Sequence, residues 1–255
     1  MEKTEKRIMI DSKKRFGLVG RNISYSFSRG YFKKKFETLQ LENHSYENFD
    51  LQEAAQFPDM LKNNKGLKGL NVTIPYKQDV IEFLDSLSPQ ASEIGAVNTI
   101  QFTPSGLVGH NTDAYGFQKS LEPYLKSHHT KALILGTGGA SKAIAYILKE
   151  LKIAFKIVSR SPLENQLNYN DLDEKTIKEH TLIINCTPLG THPNIESKPN
   201  LPYHFIGKDH LLFDLIYNPD KTAFLKEGES RGAQICNGLK MLELQADRAW
   251  EIWNM

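Results

Sequence analysis

Two hydrophobic periods take turns along this chain. In GLNVTIPYK (69–77), Val72 and Ile74 alternate with Asn71 and Thr73, the period of a strand with one apolar face. Pro75 fixes φ and lacks an N–H, which suits the first turn of a helix, so the stretch reads as a strand turning abruptly into a helix. Upstream, FGLVG (16–20) reads as a short buried strand, and Phe32, Phe36 and Leu39 fall at helical spacing from a start near Ser28. HSYENFD (44–50) is predicted as a second strand and 51–63 as a helix. Val80, Ile81 and Leu84 give the buried stripe of a helix over 78–88. A strand in 93–102, a turn at PSG (104–106), a return strand (107–111) and a helix (113–125) follow.

The second half opens with the clearest unit. In KALILGTGGASKAIAYILKEL (131–151), a buried strand meets a tight turn built on Gly136, Gly138 and Gly139, then a helix with Ile144, Ile147, Leu148 and Leu151 inward. Such a strand–glycine loop–helix unit seats a pyrophosphate on backbone N–H groups at the helix N-terminus, although Ser141 stands where a third glycine is expected. Strands are predicted at 154–160, 181–188, 210–217 and 233–236, with helices at 171–180, 219–232 and 237–253. In the last helix Met241, Leu244, Ala249 and Trp253 read as core, while Gln245 is either exposed or aimed at a ligand. Alternating strands and helices predict an α/β layer fold, with helix 113–125 as the bridge between two domains.

Length permits this, since 255 residues make one large domain or two medium ones. A net charge of only +2 argues against a dedicated nucleic-acid binder, and Lys13-Lys14-Arg15 and Lys33-Lys34-Lys35 read as solvated faces. The two cysteines, Cys186 and Cys236, have neither metal-ligand spacing nor the number a disulfide framework needs, so a reducing compartment is expected. The N-terminus has only a three-residue apolar island before its charges, which does not make a secretory signal. No apolar run approaches the roughly 18 residues that cross a membrane. A cytoplasmic protein is expected.

Several polar groups are candidates for chemistry, each beside a plainer role. Asn71, Thr73 and Lys77 could surround a small polar ligand, or Lys77 could be a surface lysine after a strand. Ser24, Ser26 and Ser28 precede a helix, where one serine caps and three exceed that need; hydroxyls and N–H groups there form a carboxylate site. Asp113 could be the N-cap of its helix, with its carboxylate still available. At the end of the strand 154–160, Ser159-Arg160-Ser161 stands where an acidic residue would select NAD. A guanidinium there pairs with a 2′-phosphate, which points to NADP; otherwise Arg160 merely solvates a strand end.

Taken together these segments resemble the shikimate dehydrogenase family over nearly the whole chain. GLNVTIPYK is similar to its GxNVTxPxK, IGAVNT (94–99) to GAVNT, GHNTDAYGF (109–117) to GDNTDxxG, and GTGGASKA to GxGGAxxA. Ser159-Arg160 occupies its NADP clamp, and NCTPLG (185–190), DLIYNP (214–219) and NGLKMLELQA (237–246) match its later signatures. The resemblance implies an N-terminal α/β substrate domain, 1–112 completed by helix 238–255, and a Rossmann-like NADP-binding domain, 113–237, with a cleft between them. It implies NADPH-dependent reduction of 3-dehydroshikimate to shikimate in chorismate and aromatic amino-acid biosynthesis.

In that reading Lys77 and Asp113 are the catalytic pair and Ser26 and Ser28 hold the substrate carboxylate. Thr73, Asn98, Asp113 and Gln245 hold ring hydroxyls, with Asn71 and Tyr217 nearby. Gly136, Thr137, Gly138, Gly139 and Ala140, with Ser159 and Arg160, bind NADP, and Leu215 and Gly238 line the nicotinamide side. No metal is implied, nor any partner beyond the small-molecule substrate; the chain is a monomer or a homodimer. The sequence departs from the family at Tyr25, usually histidine, at Arg29, usually proline, and at Lys240, often glycine or alanine. The rivals are a quinate or dual-substrate dehydrogenase, a non-catalytic ligand-sensing relative and a folate-type dehydrogenase. The sensing relative would lack the lysine–aspartate pair, and the serines with the NTD segment argue against the folate type.

Overall fold

A computed structural model of the protein describes residues 13–24 and 26–255; the N-terminal stretch read above for a secretory signal, and Tyr25, lie outside the described residues. The first half forms a mixed sheet. Its strands are β1 (Lys14–Gly20), β2 (His44–Asp50), β3 (Leu67–Val72), β4 (Ser86–Leu87), β5 (Thr99–Thr103) and β6 (Gly106–His110), in the order β2-β1-β3-β5-β6-β4. β1 runs parallel to both neighbours, whereas β3, β5 and β6 are successively antiparallel. Helix α1 (Phe27–Thr38) covers one face, and α2 (Phe57–Asn63) packs with the other.

Two predicted helices take different forms here. The helix over 51–63 divides into a 3₁₀ turn at Ala54–Gln56 and α2, because Pro58 has no N–H to continue the first turn and instead starts the second. The strand of 69–77 ends at Val72, and a turn closed by Tyr76 N donating to Thr73 O replaces the expected helical start; the Ile74–Pro75 peptide is cis. Of the helix over 78–88, only a 3₁₀ segment, Asp79–Phe83, is present. Downstream of it the backbone is drawn to β6: Asp85 N donates to Leu107 O, and the Asp85 carboxylate accepts from Leu107 N. The short helix α3 (Pro89–Ile94) carried a legible signature, with Ser88 as N-cap, Pro89 at the first turn and Gly95 at positive φ behind it.

The second sheet is wholly parallel. Helix α4 (Thr112–Leu121) leads into β7 (Lys131–Leu135), helix α5 (Gly139–Glu150), β8 (Ala154–Ser159), β9 (Leu167–Asn168), α6 (Glu174–Glu179), β10 (Leu182–Asn185), β11 (Leu211–Asp214), α7 (Ala223–Glu229) and β12 (Gln234–Cys236). The strand order is β12-β11-β10-β7-β8-β9, the doubly wound arrangement, whose direction reverses between β7 and β10. Both faces are covered, so the strands read as continuous apolar runs rather than alternations. Ile134, Leu182 and Ile184 pack with Phe117 and Ile144 on one side; Leu133, Leu135 and Ile183 pack with Ile177 and Phe224 on the other. The strand predicted to 217 stops at Asp214, because Ile216 N turns away to the Asp214 carboxylate.

The last helix, α8 (Leu239–Trp253), ties the halves together. Met241 belongs to the core of the second sheet, while Ala246, Ala249 and Trp253 pack with Phe16, Phe32 and Phe36 of the first. Gln101 Nε2 donates to Ile252 O and Trp253 Nε1 to Ile100 O, fixing the end of α8 on β5. Helix α4 crosses it at Gly116, where a Cβ would come within 2.5 Å of Met241 O, so only glycine permits this approach. Among the described residues no helix is long and apolar enough to cross a membrane.

Candidate active site between the two sheets

A cavity of about 300 Å³ opens between the sheets. Most polar side chains in its wall are delivered by the ends of elements or the turns beside them. Ser26 is the N-cap of α1, its Oγ accepting from Ser28 N at 3.2 Å, and the buried Ser28 lies one residue inside the helix. Both serines therefore line the cavity where unpaired helix N–H groups point outward. Asn71 comes from the end of β3, and Thr73 and Lys77 from the turn after it. Val97 N donates to Lys77 O at 2.7 Å, which fastens the lysine backbone to the segment that carries Asn98.

Lys77 Nζ donates to Asp113 Oδ2 at 2.6 Å, with the side chains 15% and 9% exposed. Asp113 sits in the first turn of α4, and the N-cap is Asn111, whose Oδ1 accepts from Ala114 N. Of the two roles open to Asp113, capping falls instead to Asn111, and the Asp113 carboxylate is left for Lys77. Asn98 Nδ2 supports the carboxylate from behind, donating to Asp113 Oδ1 at 2.9 Å and also meeting Thr112 Oγ1 and Gln245 Oε1. Asn98 Oδ1 in turn accepts from Thr112 N at 2.7 Å. Gln245, left open between solvent and ligand, is buried and faces the cavity from α8. An ammonium held by a buried carboxylate, ringed by amides and hydroxyls, can bind a polyhydroxylated ring and move a proton at one of its oxygens.

The second sheet supplies the opposite wall through Ala140, Leu215, Tyr217 and Gly238. Gly238 is required sterically, because a Cβ there would come within 2.1 Å of Leu215 O. The glycine loop stands at the switch point of this sheet, where doubly wound folds bind nucleotides. Gly136 takes φ +103, and Gly138 caps α5 without any side-chain hydrogen bond to the helix N–H groups. Nothing lies within 4 Å of a Cβ built on Gly138, so a phosphate has room to approach this backbone. Ser141 Oγ donates to Gly138 O at 2.6 Å, so the residue that replaces the third glycine pins the loop. Gly139 faces Lys77 across the cleft, with a built Cβ 3.5 Å from Lys77 Cβ. Thr137 is exposed on the loop, and Ser159 and the exposed Arg160 end β8, outside the cavity wall. These features fit the pyrophosphate and ribose of a dinucleotide.

Several wall residues were not anticipated: Leu18, Ile23, Phe27, Val72 and Leu242. Met241, read as core, is both core and wall. Phe27 had a signal, an aromatic ring between two serines; its ring meets Tyr217 edge-on at 5.5 Å across the cleft.

Behind Leu215 lies a buried carboxylate with a consequence for stability. Asp214 accepts from Thr222 Oγ1 at 2.6 Å, Asn185 Nδ2 at 3.0 Å and Ile216 N at 3.1 Å, yet burial pushes its pKa up from 3.8 to about 6. The folded state thus holds this proton more tightly than the unfolded chain. Its contribution is present below the ordinary carboxylate pKa and is lost as pH rises through the folded value. Between roughly pH 3 and pH 7 the unfolding free energy of the wild type is expected to fall by about 3 kcal/mol relative to Asp214→Asn. Chemical denaturation of both proteins across that range checks it, and parallel pH profiles would refute it.

A doubly wound sheet with a glycine loop at its switch point, facing a second α/β unit across a polar cleft, defines the class of two-unit dehydrogenases that use a nicotinamide dinucleotide. Residues 18–100 match the family described as shikimate dehydrogenase substrate binding domain. The NADP(+) shikimate dehydrogenase of Clostridium botulinum strain Hall is 39% identical over 93% of this chain and 95% of its own length. The crystal structure of shikimate dehydrogenase 1 from Peptoclostridium difficile has a TM-score of 0.81 at 36% identity, covering 94% of this chain and 91% of that one. That of the Thermus thermophilus shikimate 5-dehydrogenase, in complex with NADP(H) and shikimate, has a TM-score of 0.83 at 31% identity, covering 94% and 92%. The chain belongs to the shikimate dehydrogenase family.

Proposed function

We propose that the protein catalyses the reversible NADP-linked reduction of 3-dehydroshikimate to shikimate, with Lys77 and Asp113 as its catalytic pair. The observation that carries this reading is the 2.6 Å contact between Lys77 and Asp113 in the wall of a cavity that Ser26, Ser28, Thr73, Asn98 and Gln245 also line. Residues 1–112 with 238–255 form the substrate unit, and 113–237 form the nucleotide unit. The substrate carboxylate is received by Ser26 and Ser28 at the N-terminus of α1, where the helix dipole favours an anion. Thr73, Asn98, Asp113 and Gln245 take the ring hydroxyls, with Asn71 and Tyr217 beside them. The loop 136–140 binds the pyrophosphate of NADP, Ser159 and Arg160 its 2′-phosphate, and Leu215 and Gly238 flank the nicotinamide.

Bound NADPH supplies the hydride. As negative charge gathers on the substrate oxygen, the Lys77 ammonium stabilises it and delivers the proton; in the oxidative direction the amine removes the hydroxyl proton. Asp113 keeps the ammonium aimed and grips the neighbouring hydroxyl, and Asn98 keeps Asp113 from rotating. The two cysteines are both free thiols, in keeping with a cytoplasmic location. The direct test follows the absorbance of reduced nicotinamide with shikimate or quinate and NADP or NAD. Shikimate with NADP is expected to be the most efficient combination, and absence of NADP reduction by shikimate would overturn the reading.

A further inference from the structure

Beneath the cavity floor lies a tyrosine that does not touch the cavity. Tyr46, in the middle of β2, is 7% exposed and reaches across β1 on the face covered by α1 and α8. Its ring stacks on Phe32 with centroids 4.6 Å apart and planes 11° apart. Its hydroxyl donates to Asn71 Oδ1 at 2.8 Å. Asn71 lines the cavity from the end of β3, and this phenol holds it from below.

We propose that Tyr46 is a positioning residue for the substrate end of the site, setting the Asn71 carboxamide in one arrangement. The proposal rests on the functional reading above, because it takes this carboxamide as a substrate ligand. A carboxamide has two chemically different ends, and its partners decide which end faces where. Asn71 Nδ2 donates to Asn98 O and Thr99 Oγ1, each at 3.2 Å, so Oδ1 must find a donor on the opposite side. The Tyr46 hydroxyl is that donor. Burial pushes its pKa up, so it stays protonated across the working range of pH. Without it, a buried carbonyl oxygen loses its partner and the amide loses one of the contacts that orient it.

Tyr46→Phe removes a single oxygen and keeps the ring on Phe32, so the fold is retained; thermal unfolding is measured alongside. The KM for shikimate is expected to rise about tenfold, the cost of one buried hydrogen bond, with kcat within about threefold and the KM for NADP unchanged. In an Asn71→Ala background the same change is expected to add at most about threefold, because the two residues act as one unit. Phe32→Leu, which loosens the packing but keeps the hydroxyl, is expected to lower the melting temperature and leave the KM for shikimate near that of wild type. An unchanged KM for shikimate in Tyr46→Phe overturns the inference. So does a full tenfold effect in the Asn71→Ala background, or a parallel loss of kcat and NADP affinity. Failure of the wild type to oxidise shikimate would instead sink the functional reading.

Discussion

Lys77→Ala is expected to cut turnover by at least about 10²-fold while the KM for shikimate stays within about tenfold. The asymmetry follows from where the ammonium acts. In the proposed mechanism the ground-state substrate is held by several hydroxyl and amide contacts, to which Lys77 adds one. In the transition state, negative charge on the reacting oxygen is met by this cation at close range in a site whose side chains are only 15% and 9% exposed, where water screens poorly. The proton donor is lost in the same substitution. The Asp113 carboxylate would then be left buried without its cation, and Asn98 Nδ2 alone would hold it. Steady-state kinetics in both directions check the prediction. Near-normal kcat in Lys77→Ala would remove the lysine from the chemistry, and a large rise in KM with kcat preserved would make it a binding residue only.

Arg160→Ala is expected to raise the KM for NADP by about 10- to 100-fold and to change that for NAD by less than about threefold. A guanidinium pairs with a phosphate dianion through two parallel charge-assisted hydrogen bonds, together worth roughly 1.5–3 kcal/mol at an exposed position, and NAD has no such group to lose. Arg160 follows directly on β8 and is exposed. Asn168 Nδ2 donates to Arg160 O at 3.3 Å, so the backbone of this corner is tied to β9 and the side chain can be removed without loosening it. Parallel titrations of the two nucleotides decide the matter. Equal losses for NADP and NAD would mean that the arginine shapes the corner rather than reading the phosphate.

What could be read without coordinates was whatever a short stretch of chain dictates to itself. The β7–glycine loop–α5 unit was legible because an apolar run, a glycine-rich turn and an amphipathic helix are local properties, and the helix took its place within a residue or so. The parallel strands of the second sheet were legible because burial on both faces leaves continuous apolar runs such as Leu182, Ile183 and Ile184. Segment ends were less legible, since they depend on where hydrogen-bonding partners run out. β11 stops when Ile216 N finds the Asp214 carboxylate, and the helix expected after Val80 yields to pairing with β6.

The motifs named candidate residues but not their relations. That Asn111 rather than Asp113 caps α4 follows from where the helical backbone begins, at Thr112, and it leaves the Asp113 carboxylate for Lys77. Lys77 and Asp113 lie 36 positions apart, and Asn98 and Gln245 lie 147 apart. No local rule brings such pairs within 3.2 Å. They meet because α4 crosses α8 at Gly116 and because α8 runs back from the second sheet to bury Trp253 in the first. Residue chemistry is written position by position, whereas the distances between reacting groups are set by the packing of whole elements.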